Sequence, residues 1–442
     1  MGLTPKHLSS SQIISLGFAA VILLGSLLLT LPFATQSGKG ALWGDALFTA
    51  TSAVCVTGLV VQDTASYWSV FGQSVIIGLI QIGGMGIVTL AIALSMASGK
   101  RIGLKQRGTM QDSIAAPKVG GIVRLTGFIV RMVVLFELLG AAAMAPVFCR
   151  DFGLARGLWY AVFHSISAFC NAGFDLMGVQ EPFSSLTRYA SDPVINLVVM
   201  ALITIGGIGF LTWDDVRRNG RHLRRYSMQS KLILTTSALL LLLPSLYFFL
   251  FEFTSLPLSE RIWKSFFQSV TTRTAGFNTA SLPDISEAGL AITIFLMLVG
   301  GSPGSTAGGM KTTSFAVLLA TAAAVFRQRE HSAFFGRRIS NDTVRQAATI
   351  LVLFLVLFLT GGLVISRSEG LPLLTCLFET ASAIGTVGLS LGITPQLGLQ
   401  SRIILILLMY VGRVGGLTLI FSAFSSKQGD TAHLPQEKLT VG

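Results

Sequence analysis

Apolar segments recur along this 442-residue chain in a fixed order. A long apolar segment is followed by a short amphipathic stretch, by a phrase that ends near a glycine, and by a second long apolar segment. Runs of about 20 apolar residues can cross the ~30 Å hydrocarbon core of a bilayer as helices. The order occurs four times and predicts eight transmembrane helices, over roughly 11–34, 70–96, 121–148, 190–213, 230–254, 288–325, 343–366 and 400–426.

The amphipathic stretches are shorter than a membrane span. One of them reads ALWGDALFTATSAV, and its length of about a dozen residues suits a re-entrant helix that enters the membrane without crossing it. Each stretch leads into one of the related phrases SAVCVTGL, SAFCNAGF, VTTRTAGF and SAIGTVGL. One such phrase would fit an ordinary turn, whereas four in the same context indicate an internal repeat.

The spacing of the phrases defines the repeat unit. Their glycines are 115, 103 and 112 residues apart, and a phenylalanine lies ten residues before each of them: Gly58, Gly173, Gly276 and Gly388, preceded by Phe48, Phe163, Phe266 and Phe378. The predicted fold class is an all-α polytopic membrane protein with four pseudo-repeated helix–pore-loop–helix units around one pore. The expected units are 1–98, 99–216, 217–326 and 327–442.

The composition agrees with a membrane protein. Hydrophobic residues make up 52% of the chain and charged residues only 12%, a balance outside the range of soluble domains. No small-residue cleavage site follows the first apolar run, which favours a membrane helix over a signal peptide.

The net charge of +12 is unevenly distributed. Basic residues cluster in alternate loops, at 100–124, 217–231 and 327–345. This distribution follows the positive-inside rule and predicts a multi-pass protein of the bacterial cytoplasmic membrane with both termini in the cytoplasm. It does not favour nucleic-acid binding. An acidic partner or an anionic lipid is a secondary possibility for the basic loops.

The glycine phrases have the chemistry of a cation filter. Each re-entrant helix would direct its C-terminal end, which carries partial negative charge, toward a common axis. The extended residues that follow can present backbone carbonyl oxygens in place of an ion's water shell. Glycine permits the required backbone angles and a close approach of the chains. Arg273 is the one charged residue in these phrases, and its side chain is expected to lie behind the filter as a support.

Glycine-rich marks lie in the second long helix of each unit: IGGMG, IGGIG, VGGSPGSTAGG and VGRVGG. In the first two units, close helix packing through small residues is the main interpretation. In the third, the glycines, the proline and the hydroxyl residues of 300–312 cannot continue a stiff helix. They predict an intramembrane gating loop below the filter, with a static kink as the alternative.

Three charged residues lie within apolar segments, where each needs a partner or a pore. Arg413 occupies the place of the second glycine in the fourth mark. It would repel cations or hold the gating loop through carbonyl groups, and the alternative is a structural bond to Glu137 or to helix ends. Lys311 would anchor the loop or reach the cytoplasmic interface. Glu137 is expected to be a buried ion-pair partner.

The remaining polar residues indicate no enzyme. The four cysteines form no CxxC pair, no histidine has metal-ligand spacing, and no nucleotide-hydrolysis motif is present. His164 is interpreted as a packing residue of the second re-entrant helix, because no second His or carboxylate accompanies it. Four acidic residues near the outer mouth could concentrate cations, although solvated loop charges are the favoured interpretation of any one: Asp63, Asp175, Asp284 and Glu379.

Six motifs together resemble the Trk/Ktr/HKT superfamily of potassium transporters, over nearly the whole chain. They are ALFTATSAVCVTGL, GLIQIGGMGI, FHSISAFCNAGFDL, TTRTAGFN, FETASAIGTVGLSLG and YVGRVGGLTL. The Ktr branch is favoured, since the chain has no room for the two additional N-terminal helices usual in the Trk branch. Plant relatives that favour sodium often have serine at the first filter glycine, so Gly58 implies potassium.

The resemblance implies a set of site residues. The selectivity filter would consist of Cys55, Val56, Thr57, Gly58, Cys170, Asn171, Ala172, Gly173, Arg273, Thr274, Ala275, Gly276, Gly385, Thr386, Val387 and Gly388. The gate would consist of Gly300, Gly301, Ser302, Gly304, Ser305, Thr306, Gly308, Gly309, Lys311 and Arg413.

The resemblance also implies partners. A homodimer would sit on a cytosolic KtrA-like (RCK) ring that binds ATP or ADP and biases the gate. The chain itself would carry no cofactor, with K⁺ as its substrate and Na⁺ as an activator. The alternative is a Trk-like or HKT-like transporter with sodium permeability or without the ring.

Overall fold

The protein is described from a computed structural model, which covers residues 9–98, 102–113, 121–179 and 181–423. Almost all regular structure in these residues is helical. In chain order the α-helices are α1 (Ser10–Leu29), α2 (Trp43–Val54), α3 (Thr64–Tyr67), α4 (Val70–Met85), α5 (Ile87–Ala97), α6 (Leu104–Ser113), α7 (Ile122–Phe152), α8 (Leu154–Phe169), α9 (Pro193–Ile208), α10 (Phe210–Asn219), α11 (Met228–Tyr247), α12 (Leu258–Thr271), α13 (Glu287–Leu298), α14 (Thr312–Phe326), α15 (Asn341–Glu369), α16 (Leu373–Gly385), α17 (Leu399–Val414) and α18 (Gly416–Ala423).

Shorter elements connect these helices. A hairpin of β1 (Ala333–Phe334) and β2 (Arg337–Arg338) precedes α15. A π-helical turn, Phe248–Glu252, continues α11 just after Pro244. Five 3₁₀ turns occur in the described loops: Pro32–Ala34, Thr187–Tyr189, Leu223–Arg225, Leu282–Asp284 and Thr394–Gln396.

The four predicted units are recognisable in the lengths of the helices. The first helix of each unit is long and apolar enough to cross a membrane: α1, α7, α15, and α11 with its π turn. The re-entrant helices α2, α8, α12 and α16 have 12, 16, 14 and 13 residues. At 1.5 Å per residue they reach only about 18–24 Å, short of the ~30 Å hydrocarbon core. The prediction of four helix–pore-loop–helix units in a polytopic membrane protein is confirmed.

The second helix of each unit is broken, and its predicted continuity is wrong in the first, second and fourth units. The axes of α4 and α5 differ by 96° across Gly86, and those of α9 and α10 by 94° across Gly209. Gly415 separates α17 from α18, and a loop at 299–311 separates α13 from α14. The glycines at the breaks have φ between 83° and 101°, a conformation that only glycine adopts without strain. The last residues of the predicted span 400–426 lie outside the described part.

Polar contacts join each of the four units to the next one, and the fourth unit to the first. Units one and two meet where the Trp159 indole donates to Gln73 (2.9 Å), and units two and three where the Leu186 N–H donates to Asn278 (3.0 Å). Units three and four are joined by the Gly309 N–H and the Gly412 carbonyl, 3.2 Å apart. An ion pair closes the ring between units four and one, with Arg402 Nη1 2.8 Å from Asp45 Oδ1.

Removal of the closing ion pair should destabilise the fold. The Asp45 side chain is only 8% exposed, so Arg402→Gln would leave a buried carboxylate without its cation. We expect a loss of about 3 kcal/mol in unfolding free energy, since breaking buried pairs typically costs 3–5 kcal/mol. Thermal unfolding of the purified chain in detergent, followed by tryptophan fluorescence, measures the effect.

The matched control is Arg150→Gln. Arg150 also pairs with an aspartate, Asp151, but its side chain is 69% exposed, and exposed pairs contribute little to stability. The control should unfold close to the parent temperature. Equal shifts for the two variants would contradict a structural role of the closing pair.

Candidate ion-conduction pathway

The four segments that the sequence predicts to form a filter, called the filter segments below, share one backbone conformation. The residue two positions before each filter glycine is in the left-handed region, and the glycine itself also has a positive φ. The angles are 50° and 92° at Val56 and Gly58, 58° and 67° at Asn171 and Gly173, 64° and 82° at Thr274 and Gly276, and 51° and 95° at Thr386 and Gly388. Non-glycine residues adopt such angles rarely, so their recurrence in all four units marks a constrained, repeated structure.

The four glycines meet in a closed ring. A methyl group on Gly58 would lie 2.5 Å from the carbonyl oxygen of Ala172, and one on Gly173 would lie 2.6 Å from that of Ala275. In the same way Gly276 faces the Val387 carbonyl, and Gly388 returns to the Thr57 carbonyl. Each unit therefore contacts the next in the order one, two, three, four and back to one. No side chain larger than hydrogen fits between the segments.

The ring is lined by backbone oxygens that lack hydrogen-bond donors. In each unit the two residues before the glycine are fully buried, and within the part of the chain that the structure describes their carbonyls accept no hydrogen bond: Val56, Thr57, Asn171, Ala172, Thr274, Ala275, Thr386 and Val387. The hydroxyls of Thr57, Thr274 and Thr386 are also buried without a partner among the described residues. Unpaired buried polar groups are rare and call for an explanation. Rings of backbone carbonyl oxygens are a known ligand set for dehydrated monovalent cations, so the eight unbonded carbonyls are the candidate ligands.

The re-entrant helices hold the filter through repeated bonds. The N–H groups of Thr57, Ala172 and Val387 donate to the carbonyls of Ser52, Ser167 and Ser382, each over 2.8 Å. The hydroxyls of Ser52 and Ser382 accept from the N–H groups of Gly58 and Gly388, at 3.1 and 3.0 Å. The last turn of each re-entrant helix thus fixes the filter segment that follows it.

The third unit is one residue shorter between helix and filter. Here Ala275 donates to Thr271, four residues back, where the other units bond five residues back. The ten-residue spacing predicts Phe266 as the equivalent of the other phenylalanines, but this alignment is wrong, because Phe266 is 42% exposed and Phe267 is 1% exposed. Phe267 is therefore the equivalent of Phe48, which is fully buried.

Two polar side chains support the filter from behind. The Arg273 guanidinium extends away from the ring to α11, where it donates to the Ser237 carbonyl (3.3 Å). The Asn171 amide donates to the carbonyls of Arg273 (3.3 Å) and Ile203 (3.4 Å). Asn171 thereby joins the filter segments of units two and three. The spacing of the phrases along the sequence does not predict this hydrogen bond between two units.

The loop at 299–311 lies directly against the filter. Thr306 Oγ1 is 2.9 Å from Asn171 Oδ1 and donates to the Phe169 carbonyl (3.1 Å). A methyl group on Gly309 would lie 2.9 Å from the Gly385 carbonyl. Backbone hydrogen bonds join the loop to the second unit: the N–H groups of Ser302 and Thr306 donate to the carbonyls of Gly207 (3.0 Å) and Gly206 (3.3 Å), and the Gly304 carbonyl accepts from the Phe210 N–H (2.7 Å). Two more bonds lie within the loop, from Gly300 to Met310 (2.8 Å) and from Gly301 to Gly308 (3.3 Å).

Arg413 ties this loop to the first unit. One guanidinium nitrogen donates to the Thr306 carbonyl of the loop. The other donates to the carbonyls of Gly83 and Gly84 at the broken end of α4, the second at 3.2 Å. Carbonyl oxygens, and not Glu137, are the partners of this partly buried cation. Its bonds connect three units at a single point below the filter.

The other two intramembrane charges are locally bonded. Lys311 donates to the loop carbonyls of Ala307 (2.8 Å) and Gly308 (3.4 Å), so it anchors the loop. Glu137 accepts from the Gln81 amide (3.2 Å) and the Cys170 thiol (3.9 Å). Among the described residues no Lys, Arg or His forms a salt bridge with Glu137. The expected ion pair is therefore wrong, and neutral polar groups satisfy the carboxyl.

Cavities lie on both sides of the filter and loop. The first, which we call the vestibule, has a volume of about 610 Å³ and is lined by all four filter glycines. The second, the loop-side cavity, has about 370 Å³ and is lined by Arg413, by loop residues including Ala307 and Lys311, and by Ile14 of α1. The filter and the loop together separate the two cavities.

The acidic residues near the vestibule differ in environment. Asp63 and Asp175 line it, and so does Glu181, which is not among the acidic residues predicted from the sequence. Removal from water raises the pKa of the Asp175 carboxyl, in a loop outside the spanning helices, to about 7. Asp284 is exposed. Asp63 and Glu181 therefore place carboxylates beside the vestibule, where negative charge attracts cations, whereas the raised pKa of Asp175 leaves that carboxyl partly protonated near neutral pH.

Asp63 and Glu379 are not the solvated loop charges that the sequence favoured. Asp63 is 7% exposed, caps α3 and accepts from the Phe183 N–H of the second unit (3.0 Å). Glu379 is fully buried and accepts from Ser390 (2.6 Å), Leu391 (3.0 Å) and Thr394 (2.8 Å). Both carboxylates fix loops that follow a filter segment: Glu379 fixes the loop of its own unit, whereas Asp63 reaches the second unit from the first.

His164 has a defined role beside the second filter segment. It is fully buried, its Nδ1 lies 2.7 Å from the Tyr160 carbonyl, and its Nε2 accepts from the Leu176 N–H at 3.2 Å. These two bonds fix a neutral ring with the proton on Nδ1. His164 thus positions the backbone just beyond Gly173. The sequence indicated a packing residue, and the structure adds these two hydrogen bonds to that role.

Comparisons with known proteins agree with this architecture. The chain matches the family described as TrkH, cation transport protein, over residues 8–433. It is 39% identical to the potassium/sodium uptake protein NtpJ of Enterococcus hirae, covering 99% of this chain and 98% of that protein. It is 38% identical to the Ktr system potassium uptake protein B of Bacillus subtilis, covering 97% and 96%.

A solved structure has the same fold. The potassium transporter TrkH from Vibrio parahaemolyticus superposes with a TM-score of 0.72 at 21% identity, covering 96% of this chain and 87% of that one. The fourfold repeat, the ring of glycines and the full-length sequence matches lead to one conclusion: the chain belongs to the TrkH family of membrane cation transport proteins.

Proposed function

We propose that the protein mediates potassium uptake through the ring of backbone carbonyls. The observation that carries the proposal is the set of eight buried carbonyl oxygens without donors, two from each unit. A buried polar group without a partner costs about 1–3 kcal/mol, and a bound cation would satisfy all eight at once. Carbonyls suit a weakly hydrated monovalent ion that must enter and leave rapidly.

Potassium is favoured as the substrate by the relatives and by Gly58. The Bacillus subtilis relative is named as a potassium uptake protein of the Ktr system, and glycine is retained at all four filter positions. A second candidate, a potassium transporter that also conducts sodium, is favoured by the name of the Enterococcus hirae relative. The two candidates differ in the ion that competes for entry.

The loop and Arg413 would form the gate. The loop lies between the filter and the loop-side cavity, and the guanidinium holds it through the Thr306 carbonyl. An ion leaving the filter would meet a positive charge and a closed backbone. Opening requires that the bonds of Arg413 to Thr306, Gly83 and Gly84 be exchanged for others.

Regulation would come from a cytosolic partner. The name of the Bacillus subtilis relative refers to a multi-component Ktr system, and the basic loops of this chain lie on the side predicted to be cytoplasmic. A homodimer, a KtrA-like nucleotide-binding ring, activation by sodium, and a bacterial cytoplasmic membrane location with both termini inside belong to the same proposal.

Ion competition tests the function. The chain would be expressed, with and without a candidate regulatory ring, in a bacterium that lacks its own potassium uptake, and tracer rubidium uptake measured. Competition by K⁺ but not Na⁺ supports potassium selectivity, whereas equal competition supports the potassium/sodium alternative. Absence of rubidium uptake by a chain shown to reach the membrane, with the ring supplied, would overturn the proposal.

Gly58→Ala should abolish uptake. The new methyl group would enter the space of the Ala172 carbonyl on a backbone with φ of 92°. We expect tracer uptake at least tenfold lower, since a displaced filter carbonyl costs more than the ~1.4 kcal/mol that equals a factor of ten.

Gly38→Ala provides the matched control for that substitution. Gly38 also has a positive φ, 69°, but has open space at the position of a Cβ atom. It imposes the same kind of backbone strain without touching the filter, so uptake should remain near the parent rate. Comparable losses in both variants would show that strain, and not the ring geometry, explains the result.

Arg413→Ala should raise basal uptake in the absence of a regulatory ring, because the loop loses its tether and the path loses a positive charge. Arg413→Gln should give a smaller increase, since an amide can keep one carbonyl bond. Tyr410→Phe on the same helix is the control, for it removes only a 2.7 Å bond to the Ser15 carbonyl. Unchanged or reduced uptake in Arg413→Ala, with normal amounts in the membrane, would exclude a closing role.

A further inference from the structure

A large groove beside the second unit takes no part in the conduction pathway. It has a volume of about 1150 Å³ and lies among α6, α7 and α10, with α5, α9 and α11 completing its walls. This exceeds the roughly 300–1,000 Å³ of a usual small-molecule site. Its apolar wall includes Met96, Phe128, Met132, Ile205, Trp213 and Leu234.

Four arginines from three helices line the same groove: Arg107, Arg124, Arg131 and Arg217. No Asp or Glu is among the described residues that line it, and within the described part of the chain none of the four forms a salt bridge. The Arg217 guanidinium lies 4.8 Å from the centre of the Phe128 ring, and Arg107 donates to the Ile102 carbonyl (3.2 Å).

The nearest carboxylates on α10 are bonded elsewhere. Asp214 pairs with Arg218 at 2.6 Å. Asp215 accepts from the hydroxyls of Ser227 (2.7 Å) and Ser230 (2.5 Å). The positive charge of the groove is therefore left without a compensating carboxylate from α10, and an anion would be attracted to it.

The position of the arginines along α7 suits a membrane surface. The helix has 31 residues and is about 46 Å long, which exceeds the ~30 Å hydrocarbon core by about 16 Å. Arg124 and Arg131 belong to its first ten residues and lie two turns apart on one face. Thr126 near this end of α7 donates to Met110 of α6 (2.9 Å), and the adjacent Thr109 lies 3.5 Å from Ser10 at the start of α1. This end of α7 therefore lies on the same side as the start of α1, which is proposed to be cytoplasmic.

We propose that this groove binds an anionic phospholipid of the cytoplasmic leaflet. The guanidinium groups would bind the phosphate and the headgroup charge, because planar N–H donors match phosphate oxygens. The acyl chains would lie along Phe128, Met132 and Leu234, which are only half-buried and would otherwise contact water or bulk lipid. A free phosphate would use the arginines but leave the apolar wall uncovered. Lipid binding in this groove is separate from the proposed transport function and depends only on the proposed orientation of the chain in the membrane.

Binding is measured directly, without transport. The delipidated full-length chain in detergent would be titrated with phosphatidylglycerol and, separately, with phosphatidylcholine of the same acyl chains, and bound lipid counted by native mass spectrometry. We expect tight binding of phosphatidylglycerol and little of phosphatidylcholine. Arg124→Gln with Arg131→Gln should weaken phosphatidylglycerol binding roughly 25-fold, which corresponds to about 1 kcal/mol for each arginine near an anionic surface.

A charge-matched control separates this groove from general attraction. Arg224→Gln with Arg225→Gln removes the same charge from exposed residues that do not line the groove, and binding should stay at the parent value. Equal weakening in both double variants would overturn the proposal. Inorganic phosphate or an acidic peptide that displaces phosphatidylglycerol at equal concentration would assign the arginines to a free anion or a protein partner, and would also overturn it.

Whether the groove variant still folds is checked by its lipid-free melting temperature. If that temperature falls, Met132→Gln offers a second route, since it makes the apolar wall polar and keeps all four arginines. It should weaken binding of long-chain phosphatidylglycerol more than that of a short-chain analogue. Equal binding of both analogues by parent and variant would show that the apolar wall contributes nothing.

Discussion

The eight carbonyls before the ring glycines are buried and accept no hydrogen bond from the described residues, and the re-entrant helices hold the segments that carry them. Without a fixed support, such carbonyls would turn to find N–H groups, because a buried carbonyl without a partner costs about 1–3 kcal/mol. The re-entrant helices prevent this by bonding the N–H of the residue before each glycine, as Ser52 does for Thr57. Filter geometry therefore depends on helices that are too short to cross the membrane.

The fourfold symmetry is approximate, and its departures coincide with the proposed gate. Unit three has one residue fewer before its filter glycine and a loop where the other units have a bent helix. Unit four replaces a glycine with Arg413, whose side chain reaches the loop of unit three and the broken helix of unit one. Four identical units could form the ring of glycines. Only unequal units can place a loop of one unit against the ring and hold that loop with a side chain of another.

The glycine-rich marks of units one, two and four combine two separate requirements. A methyl group on Gly83 would meet the Val54 carbonyl, one on Gly206 the Phe169 carbonyl and one on Gly412 the Ile384 carbonyl, at the ends of their own re-entrant helices. In these three units the first glycine allows close packing on the re-entrant helix, and a glycine three residues later permits the bend. Close packing and bending are separate tasks for neighbouring positions, although the sequence presents them as one motif.

The sequence by itself determined the class of protein, the four units, the short re-entrant helices and the filter phrases, because each depends on local length, polarity and spacing. It also indicated the interrupted segment near 300–311, since proline and clustered glycine cannot continue a helix. Only the tertiary structure decided which polar groups meet. The Arg413 bonds to carbonyls, the Glu137 contact with Gln81, the Asp63 bond to Phe183 and the basic groove all join residues from different units or distant loops. The physical reason is that a hydrogen bond or an ion pair is specific to the atoms brought within about 3 Å, whereas hydrophobic periodicity is a property of each segment alone.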